Sequence, residues 1–275
     1  MDLFEFDSWP QFQAWVQNYC KMHYSCPTYW RGQKDPDWPL ASRFERMILG
    51  MFGGRPLPGK PPPSMIYPYD NRYIRLGGKK LWEPNALQQL RDRYLWAFKR
   101  AAAGLRGPNP ATLDQDQWWA LGRHFGLITP LLDWSDSPYI AAFFALSERF
   151  ADIQKAPGVG GITFCGAKVA VYVLFHNSKL EGDGLRVVQP TVEELGRMHG
   201  QRGLFTWLDS EEYFELQGFL DHKGRGDLLT KVIISEQAVS DGLRDLAEHG
   251  IDYRLLFPDL QGAASHANSQ FDMVF

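Results

Sequence analysis

The sequence predicts an α+β fold in which a helical N-terminal half packs on a mostly antiparallel sheet. Two observations support this prediction. Apolar residues recur at helical spacing up to Phe150, and runs of β-branched and aromatic residues, separated by turn residues, dominate after it. Helices mainly first and strands mainly afterwards are typical of α+β domains. With 275 residues, 44% of them apolar, the chain can bury one large core, so we expect a single domain over residues 1–275.

The N-terminal third predicts a helix, a strand, a second helix and a long loop. Residues 8–20 carry four apolar side chains on one helical face, and the β-rich residues 28–33 follow as a short strand. A turn then leads into a short helix near Arg43. Residues 53–68 contain too much glycine and proline for either regular structure, so they predict an exposed loop.

Two further helices lead to the stretch around which the chain is organised, residues 123–150. Asn85 begins a helix that reaches about Leu105, and a second helix is capped near Thr112 or Asp114. Residues 123–150 themselves predict a polar turn region followed by a buried apolar helix. Ser137 stands at the N-cap position of that helix and Pro138 at its first turn. A helix N-terminus carries free N–H groups, so the preceding loop is suited to an anionic or polar ligand.

Extended segments dominate the rest of the chain. The predicted strands are 161–165, 168–175, 185–189, 203–208, 229–235 and 253–257. A helix over residues 236–249, closed by Gly250, separates the last two.

Charge and cysteine content exclude several classes of protein. The net charge of −3 gives no overall preference for nucleic acid or a membrane surface. Neither a signal peptide nor a membrane-spanning apolar run is present, so we expect a cytoplasmic protein. Cys20, His23 and Cys26 lie close together, but no fourth ligand follows at finger-like spacing, and we therefore expect no metal.

Common enzyme motifs are absent, and three polar places remain. The chain has no phosphate-binding GxxxxGK[ST] loop, no GxGxxG, no HExxH and no GxSxG. The first polar place is Arg31, whose guanidinium offers a planar fork of donors and whose neighbour Gly32 allows a close backbone approach. The others are residues 124–137 and residues 197–206. Each of them also has a purely structural interpretation, such as an arginine held by a carboxylate or a serine that only caps a helix.

These places together carry a resemblance to the FRG domain family. The matching segments are Trp30-Arg31-Gly32-Gln33, Asp37 to Leu40 with Arg43, His124 to Trp134, Ser137-Pro138, Arg197 to Thr206, and Phe257 to Leu260 with Gly262. The resemblance covers about residues 5 to 265. Trp30 departs from the family's usual phenylalanine, and Pro130 from its usual arginine, which removes a cation from that loop.

A further resemblance, to ADP-ribosyltransferases of the arginine-serine-glutamate class, implies an ADP-ribosyltransferase-like fold and NAD as the substrate. It implies that Arg31 binds the pyrophosphate, that Ser137 supports the nicotinamide ribose and that Trp134 stacks on the nicotinamide. The cofactor-binding residues implied are Arg31, Gly32, Gln33, Trp134, Ser137 and Arg197, and the catalytic residues are Gln201, Asp133 and His124. Because a glutamine supplies no negative charge, the carboxylate must come from elsewhere, with Asp133, Asp136 and Asp259 as candidates.

The resemblance therefore implies an NAD-dependent ADP-ribosyltransferase acting on a macromolecule, with a DNA or RNA base as one possible acceptor, in a bacterial toxin or phage-defence setting. A second hypothesis is a non-catalytic interaction module in which Arg31, His124 and Asp133 form a buried polar network. A nuclease or phosphotransferase is a third. We also expect Arg31, His124, Asp133 and Gln201 to converge on one cleft, although they are distant in sequence.

Overall fold

The computed structural model describes eight segments of the chain: residues 1–51, 75–76, 79–80, 86–155, 168–176, 184–190, 200–210 and 213–274. The strands are β1 (Asp2–Phe6), β2 (Thr28–Gln33), β3 (Arg75–Leu76), β4 (Lys79–Lys80), β5 (Leu131–Ser135), β6 (Lys168–Phe175), β7 (Leu185–Val188), β8 (Gly203–Leu208) and β9 (Leu229–Ser235). The α-helices are α1 (Trp9–Met22), α2 (Arg43–Met51), α3 (Ala86–Ala101), α4 (Gln115–His124), α5 (Pro138–Lys155), α6 (Leu216–His222), α7 (Val239–Glu248), α8 (Tyr253–Leu256) and α9 (Leu260–Val274). Short 3-10 turns lie at Gly226–Leu228 and Glu236–Ala238.

A seven-stranded sheet in the order β1-β9-β6-β2-β5-β8-β7 forms the centre of the described residues. Strand β1 runs parallel to β9, and each of the other neighbouring pairs in this sheet is antiparallel. The predicted mixed fold with a mostly antiparallel sheet is therefore confirmed. The N-terminal half is less purely helical than predicted, because it supplies β1 and β5 in addition to the predicted strand β2.

Helices α1, α5 and α7 cover one face of the sheet. Alternate residues of β6, Val169, Val171 and Val173, point toward these helices and are fully buried, as the two-residue period of a strand requires. The α1 residues in this core are the four apolar ones that the helical spacing predicts: Trp9, Phe12, Val16 and Tyr19. Helix α5 is buried from Ile140 to Ser147, apart from the partly buried Phe144, which confirms the predicted buried helix.

The opposite face of the sheet carries a second apolar cluster. The intervening β6 residues Ala170, Tyr172 and Leu174 pack there with Trp134 and with the buried side of α6. A third cluster holds α4 against the β8 end of the sheet, where the rings of Trp119 and Trp207 meet edge to face at 6.4 Å.

Several predicted boundaries are confirmed. Strands β2, β8 and β9 begin and end at the predicted residues, and α5 begins directly after Ser137. The Ser137 hydroxyl accepts a hydrogen bond from the Ile140 amide at 3.4 Å, as an N-cap residue does. Asp114 likewise caps α4 through the Gln117 amide at 2.8 Å.

Two predicted elements are wrong. Residues 253–257 were predicted as a strand, but Tyr253–Leu256 is a helical turn because the Asp252 carboxylate accepts the amides of Arg254 and Leu255. A short apolar run does not distinguish strand from helix by its periodicity. The polar turn predicted before Ser137 is instead strand β5, paired with β8 from Leu131 to Ser135. Elements β1, α6 and α9 were not predicted.

Other predictions lie outside the described residues. These are the loop 53–68, the strand 161–165 and every statement about Arg197. Among the described residues, no helix is both long enough and apolar enough to span a membrane.

Candidate functional site

A cleft lies where β2 meets β5 in the middle of the sheet. These two strands share one registered pair, Trp30 with Ser135, whereas β2 pairs with β6 at six positions and β5 with β8 at five. Residues of both strands line a cavity of about 320 Å³ at this break in the ladder. This volume lies near the lower end of the range for small-molecule sites.

The cleft brings together most of the predicted site residues. It is lined by Arg31, Gly32, Gln33, Asp133, Trp134 and Gln201. His124 and Ser137 do not line it, so the expected convergence of all four polar residues is wrong for His124. The tertiary structure nevertheless joins Arg31 to Asp133, which stand 102 positions apart in the chain.

Arg31 bridges the break between the two strands. Its Nη1 donates to the main-chain carbonyl of Asp133 at 2.8 Å and lies 3.6 Å from the Asp133 carboxylate. The side chain is 14% exposed, and its Nε is buried without a hydrogen-bond partner among the described residues. Burial lowers the pKa of Arg31, and the charges of Arg46 and Arg123 lower it further, against the opposing effect of Asp133. An additional anion near this guanidinium would therefore be favourable.

Asp133 is held mainly by an arginine that the sequence prediction missed. Arg123 Nε donates to Oδ1 at 3.0 Å and Arg123 Nη2 to Oδ2 at 2.7 Å, which makes a bidentate pair. Burial opposes ionisation of Asp133, but the charge and hydrogen bonds of Arg123 and the charge of Arg31 outweigh it, and the pKa is lowered. Asp133 is therefore an ionised carboxylate whose two oxygens are already engaged.

Arg46 and Glu148 are the remaining charged side chains among the described residues that line the cleft. Arg46 comes from α2, and Glu148 comes from α5, four residues after Phe144 on the same helical face. Burial lowers the pKa of Arg46, Arg123 lowers it further, and Asp133 and Glu148 partly restore it. Among the described residues of the cleft lining, three guanidinium groups stand against two carboxylates, so this lining is cationic within a chain of net charge −3.

The side-chain amide of Gln33 is buried and makes no hydrogen bond to the described residues. It is 2% exposed and lines the cleft, and neither Oε1 nor Nε2 has a partner among the described residues. An unsatisfied buried polar group typically costs about 1–3 kcal/mol. Such a cost at a cleft residue is a common mark of a position that binds a ligand.

Gly32 allows α5 to lie directly on β2. A Cβ atom added at Gly32 would stand 1.9 Å from the carbonyl oxygen of Ala141 and 2.8 Å from the amide nitrogen of Ala145. Both atoms belong to the backbone of α5, so no side-chain rotation could relieve the overlap. The close approach that this glycine permits is to a helix, and it places Phe144 and Glu148 at the cleft.

The aromatic side chains of the cleft differ in their exposure. Trp134 is 3% exposed, and its indole N–H donates to Thr206 at 2.8 Å, which makes it part of the core as well as of the cleft wall. Trp38 is 39% exposed and lines the same cavity. Trp38 is therefore better placed than Trp134 to present a ring face to a ligand.

Two predicted residues have other positions. His124 is the last residue of α4, and its ring meets Phe125 edge to face at 4.9 Å. Ser137 is buried at the N-terminus of α5, where its amide donates to the Ser135 hydroxyl at 3.1 Å. It is Ser135, and not Ser137, that lines the cleft.

Gln201 and the candidate carboxylates Asp136 and Asp259 each make hydrogen bonds or ion pairs within the protein. Gln201 Nε2 donates to the Leu256 carbonyl at 3.1 Å, and the Gln201 carbonyl accepts from Ser135. Asp136 pairs with Arg202 at 2.5 Å, and neither residue lines the cleft. Asp259 accepts the amide of Gly262 at 2.8 Å and is likewise absent from the lining. Of the candidate carboxylates, Asp133 alone lines the cleft, and Glu148 joins it.

Weak sequence signals existed for two of the missed residues. Glu148 interrupts an apolar helical face that includes Ala141 and Phe144, and a charge on such a face indicates a partner or a ligand. Arg123 directly precedes the predicted His124. Nothing in the local pattern distinguished Arg46 from the neighbouring Arg43.

The donor set is suited to an anion that also carries a planar ring. Guanidinium groups bind phosphate or carboxylate oxygens through paired N–H donors, and Trp38 adds an aromatic face. Among the described residues, no group of three histidine, cysteine, aspartate or glutamate side chains could hold a metal ion.

Comparison with protein families matches residues 26–153 to the FRG domain. This match contains Arg31, Gly32 and Gln33, the arginines Arg46 and Arg123, and the whole of β5 and most of α5. A search of curated proteins and a search of solved structures found no match.

Proposed function

From the presence of an FRG domain over residues 26–153, we propose that the chain is an NAD-dependent ADP-ribosyltransferase that modifies a macromolecule. The observation that supports this function is the cationic cleft, in which Arg31, Arg46 and Arg123 surround a cavity between β2 and β5. A pyrophosphate flanked by planar rings, as in NAD, matches these donors in charge and shape. The acceptor class we favour is a nucleic-acid base.

Arg31 and Arg46 would bind the pyrophosphate. Arg31 has a buried Nε without a partner among the described residues, so phosphate oxygens would satisfy a donor that the protein leaves unpaired. Arg123 has a different task, because its bidentate pair with Asp133 holds that carboxylate in place. Its contribution to anion binding is the long-range effect of its charge.

Glu148 is the carboxylate that we assign to the transfer step. During the reaction the bond from the nicotinamide nitrogen to the ribose carbon breaks, and the acceptor forms the new bond to that carbon and loses a proton. Glu148 would stabilise the positive charge that develops on the ribose and accept the proton of the acceptor. Asp133 is less suited to this role because both of its oxygens already bind Arg123.

The test is incubation of the purified chain with labelled NAD and separate pools of DNA, RNA and protein. We expect label in one pool, with the modified molecule heavier by one ADP-ribose in mass spectrometry and free nicotinamide released in equal amount. Absence of label in every pool together with absence of nicotinamide release would contradict the proposal.

A non-catalytic interaction module is the second candidate, and one observation favours it. Arg31, Arg123 and Asp133 form a connected network of hydrogen bonds across two strands and α4, which is the arrangement expected of groups that specify a fold. Under this alternative the network stabilises the sheet and the cleft residues bind no NAD. Stability and NAD binding of Arg31 variants distinguish the two candidates.

A further inference from the structure

We propose that Gln33 is a specificity-determining residue that binds a planar group offering one hydrogen-bond donor beside one acceptor, and that it discriminates against a carboxylate. A primary carboxamide and the edge of an adenine ring both have this chemistry, and both occur in NAD, so the proposal rests on the proposed function for its choice of ligands. It assigns a task to a residue that the transfer mechanism does not use.

The first step of the argument is the burial of the Gln33 amide. Its donor Nε2 and its acceptor Oε1 are both buried, and both lack partners among the described residues. A primary amide offers two donors and two acceptor positions, and protein structures rarely leave both ends of such a group empty. A ligand with a donor beside an acceptor satisfies both ends with two parallel hydrogen bonds.

The second step is the place of Gln33 in the cleft. It stands two residues after Arg31 on β2, so the two side chains lie on the same face of the strand, and both line the cavity. The buried Arg31 Nε is also without a partner among the described residues. Unpaired donors and an unpaired acceptor are therefore concentrated in one part of the cleft.

The third step is the aromatic ring at the same cavity. Trp38 lines it and is partly exposed, with the Lys34 ammonium 5.4 Å from its ring centroid, so a planar ligand ring would stack on the face of Trp38 that Lys34 does not cover. Nicotinamide and adenine each combine a flat ring with the donor and acceptor edge that Gln33 requires. A phosphate or a simple carboxylate has no such edge.

Charge alone predicts the opposite preference. Because Arg31, Arg46 and Arg123 make the cleft cationic, an anionic ligand should bind more tightly than its neutral amide. A preference for the amide over the matching acid must therefore come from a group that needs both a donor and an acceptor. Nicotinamide and nicotinate share the pyridine ring and differ in net charge and in the amide N–H donors, so the two effects predict opposite preferences for this pair of probes.

The experiment measures binding of nicotinamide, nicotinate and adenosine by calorimetry, with wild type and with Gln33→Met, which keeps the length of the side chain and removes its hydrogen bonds. We expect nicotinamide or adenosine to bind to wild type at least about tenfold more tightly than nicotinate, and this preference to disappear in Gln33→Met. Binding of nicotinamide would indicate that Gln33 contacts the carboxamide of the ligand, and binding of adenosine that it contacts the adenine edge.

Stability of the unliganded protein is the second readout. Gln33→Met should keep or raise the melting temperature, because it removes two buried polar atoms that have no partners among the described residues. Gln201→Met is the matched control in the same cleft, and it should lower the melting temperature because the Gln201 amide donates to the Leu256 carbonyl.

Three binding results would overturn the assignment: nicotinate binds as tightly as the other two probes or more tightly, Gln33→Met binds nicotinamide and adenosine as wild type does, or wild type binds neither of them. A drop in melting temperature for Gln33→Met as large as that for Gln201→Met would also overturn it. The outcome is separable from that of the transferase proposal. If the protein prefers the amide but transfers no ADP-ribose from NAD, the role of Gln33 stands and the transferase proposal fails. If Gln33→Met transfers ADP-ribose with an unchanged KM for NAD, the transferase proposal stands and the role of Gln33 fails.

Discussion

The guanidinium of Arg31 donates to the main-chain carbonyl of Asp133 at 2.8 Å, across the point where β2 and β5 stop pairing. The backbones of β2 and β5 pair at Trp30 and Ser135, and the Arg31 side chain adds a second connection between the two strands. The same guanidinium lines the cleft, and its buried Nε has no hydrogen-bond partner among the described residues. Arg31 therefore contributes both to the sheet and to the candidate ligand site, and its substitution should affect both.

Substitution of Arg31 separates these two contributions. Arg31→Ala should lower stability by about 1–2 kcal/mol through loss of the bond to Asp133, and Arg31→Lys by less, since an ammonium can still donate to a carbonyl. Affinity for NAD should fall about ten- to a hundredfold in both variants, because lysine lacks the paired donors that match phosphate oxygens. Thermal melting with and without NAD measures both effects. Full rescue of NAD binding by lysine, or no NAD-dependent stabilisation of wild type at millimolar ligand, would favour the non-catalytic module.

Gly32→Ala should destabilise the fold by about 1–3 kcal/mol or more, because the new methyl group overlaps the backbone of α5 at Ala141. Chemical denaturation of the purified variant measures the change. Gly218→Ala is the control, since its Cβ would meet the flexible end of Glu215 at 3.1 Å within α6 and alanine favours a helix. A Gly32→Ala protein as stable as wild type would mean that α5 does not rest on β2.

Glu148→Gln should reduce ADP-ribose transfer about 10²- to 10³-fold while leaving NAD affinity within a few fold, because the variant loses a charge that acts on the transition state. Nicotinamide release under saturating NAD measures the rate. Glu248→Gln is the control, because Glu248 is an exposed carboxylate at the end of α7 and does not line the cleft. Retention of full transfer activity by Glu148→Gln would assign the carboxylate role elsewhere.

Glu45 should make stability depend on pH. This glutamate is buried against Arg91 at 3.1 Å, and burial raises its pKa from 4.5 to about 7, although the charge and hydrogen bond of Arg91 act in the opposite direction. The folded state thus holds the proton more tightly than the unfolded state. The stabilisation is fully present below the unfolded pKa and is lost as pH rises toward 7, by at most about 3 kcal/mol.

Glu45→Gln tests this dependence because the amide resembles the protonated carboxyl at every pH. Urea denaturation at pH 5 and pH 8 should show a smaller loss of stability in Glu45→Gln than in wild type. A pH dependence identical in the two proteins would mean that Arg91 keeps Glu45 ionised throughout.

Local sequence patterns were sufficient to predict the helices and strands whose apolar spacing or capping residues lie within the element itself. The apolar spacing of Trp9, Phe12, Val16 and Tyr19 and the cap at Ser137 depend on neighbours within one or two helical turns, and both predictions are confirmed. The β-branched runs of β2, β8 and β9 were recognised for the same reason. The FRG resemblance over residues 26–153 was visible as well, because a motif is a property of sequence order, whereas the segments 197–206 and 257–262 lie outside that match.

The membership of the cleft depended on the tertiary structure. Whether Arg31 meets Asp133, and whether Arg46 and Glu148 join them, depends on which strands pair and on how closely α5 packs on Gly32. His124 and Asp133 are near in sequence, but Asp133 lines the cleft and His124 does not. His124 is the last residue of α4, whereas Asp133 lies within β5. The chemical character of the site could therefore be predicted from residue types, whereas its geometry is set by strand order and helix packing, which arise from contacts between residues far apart in the chain.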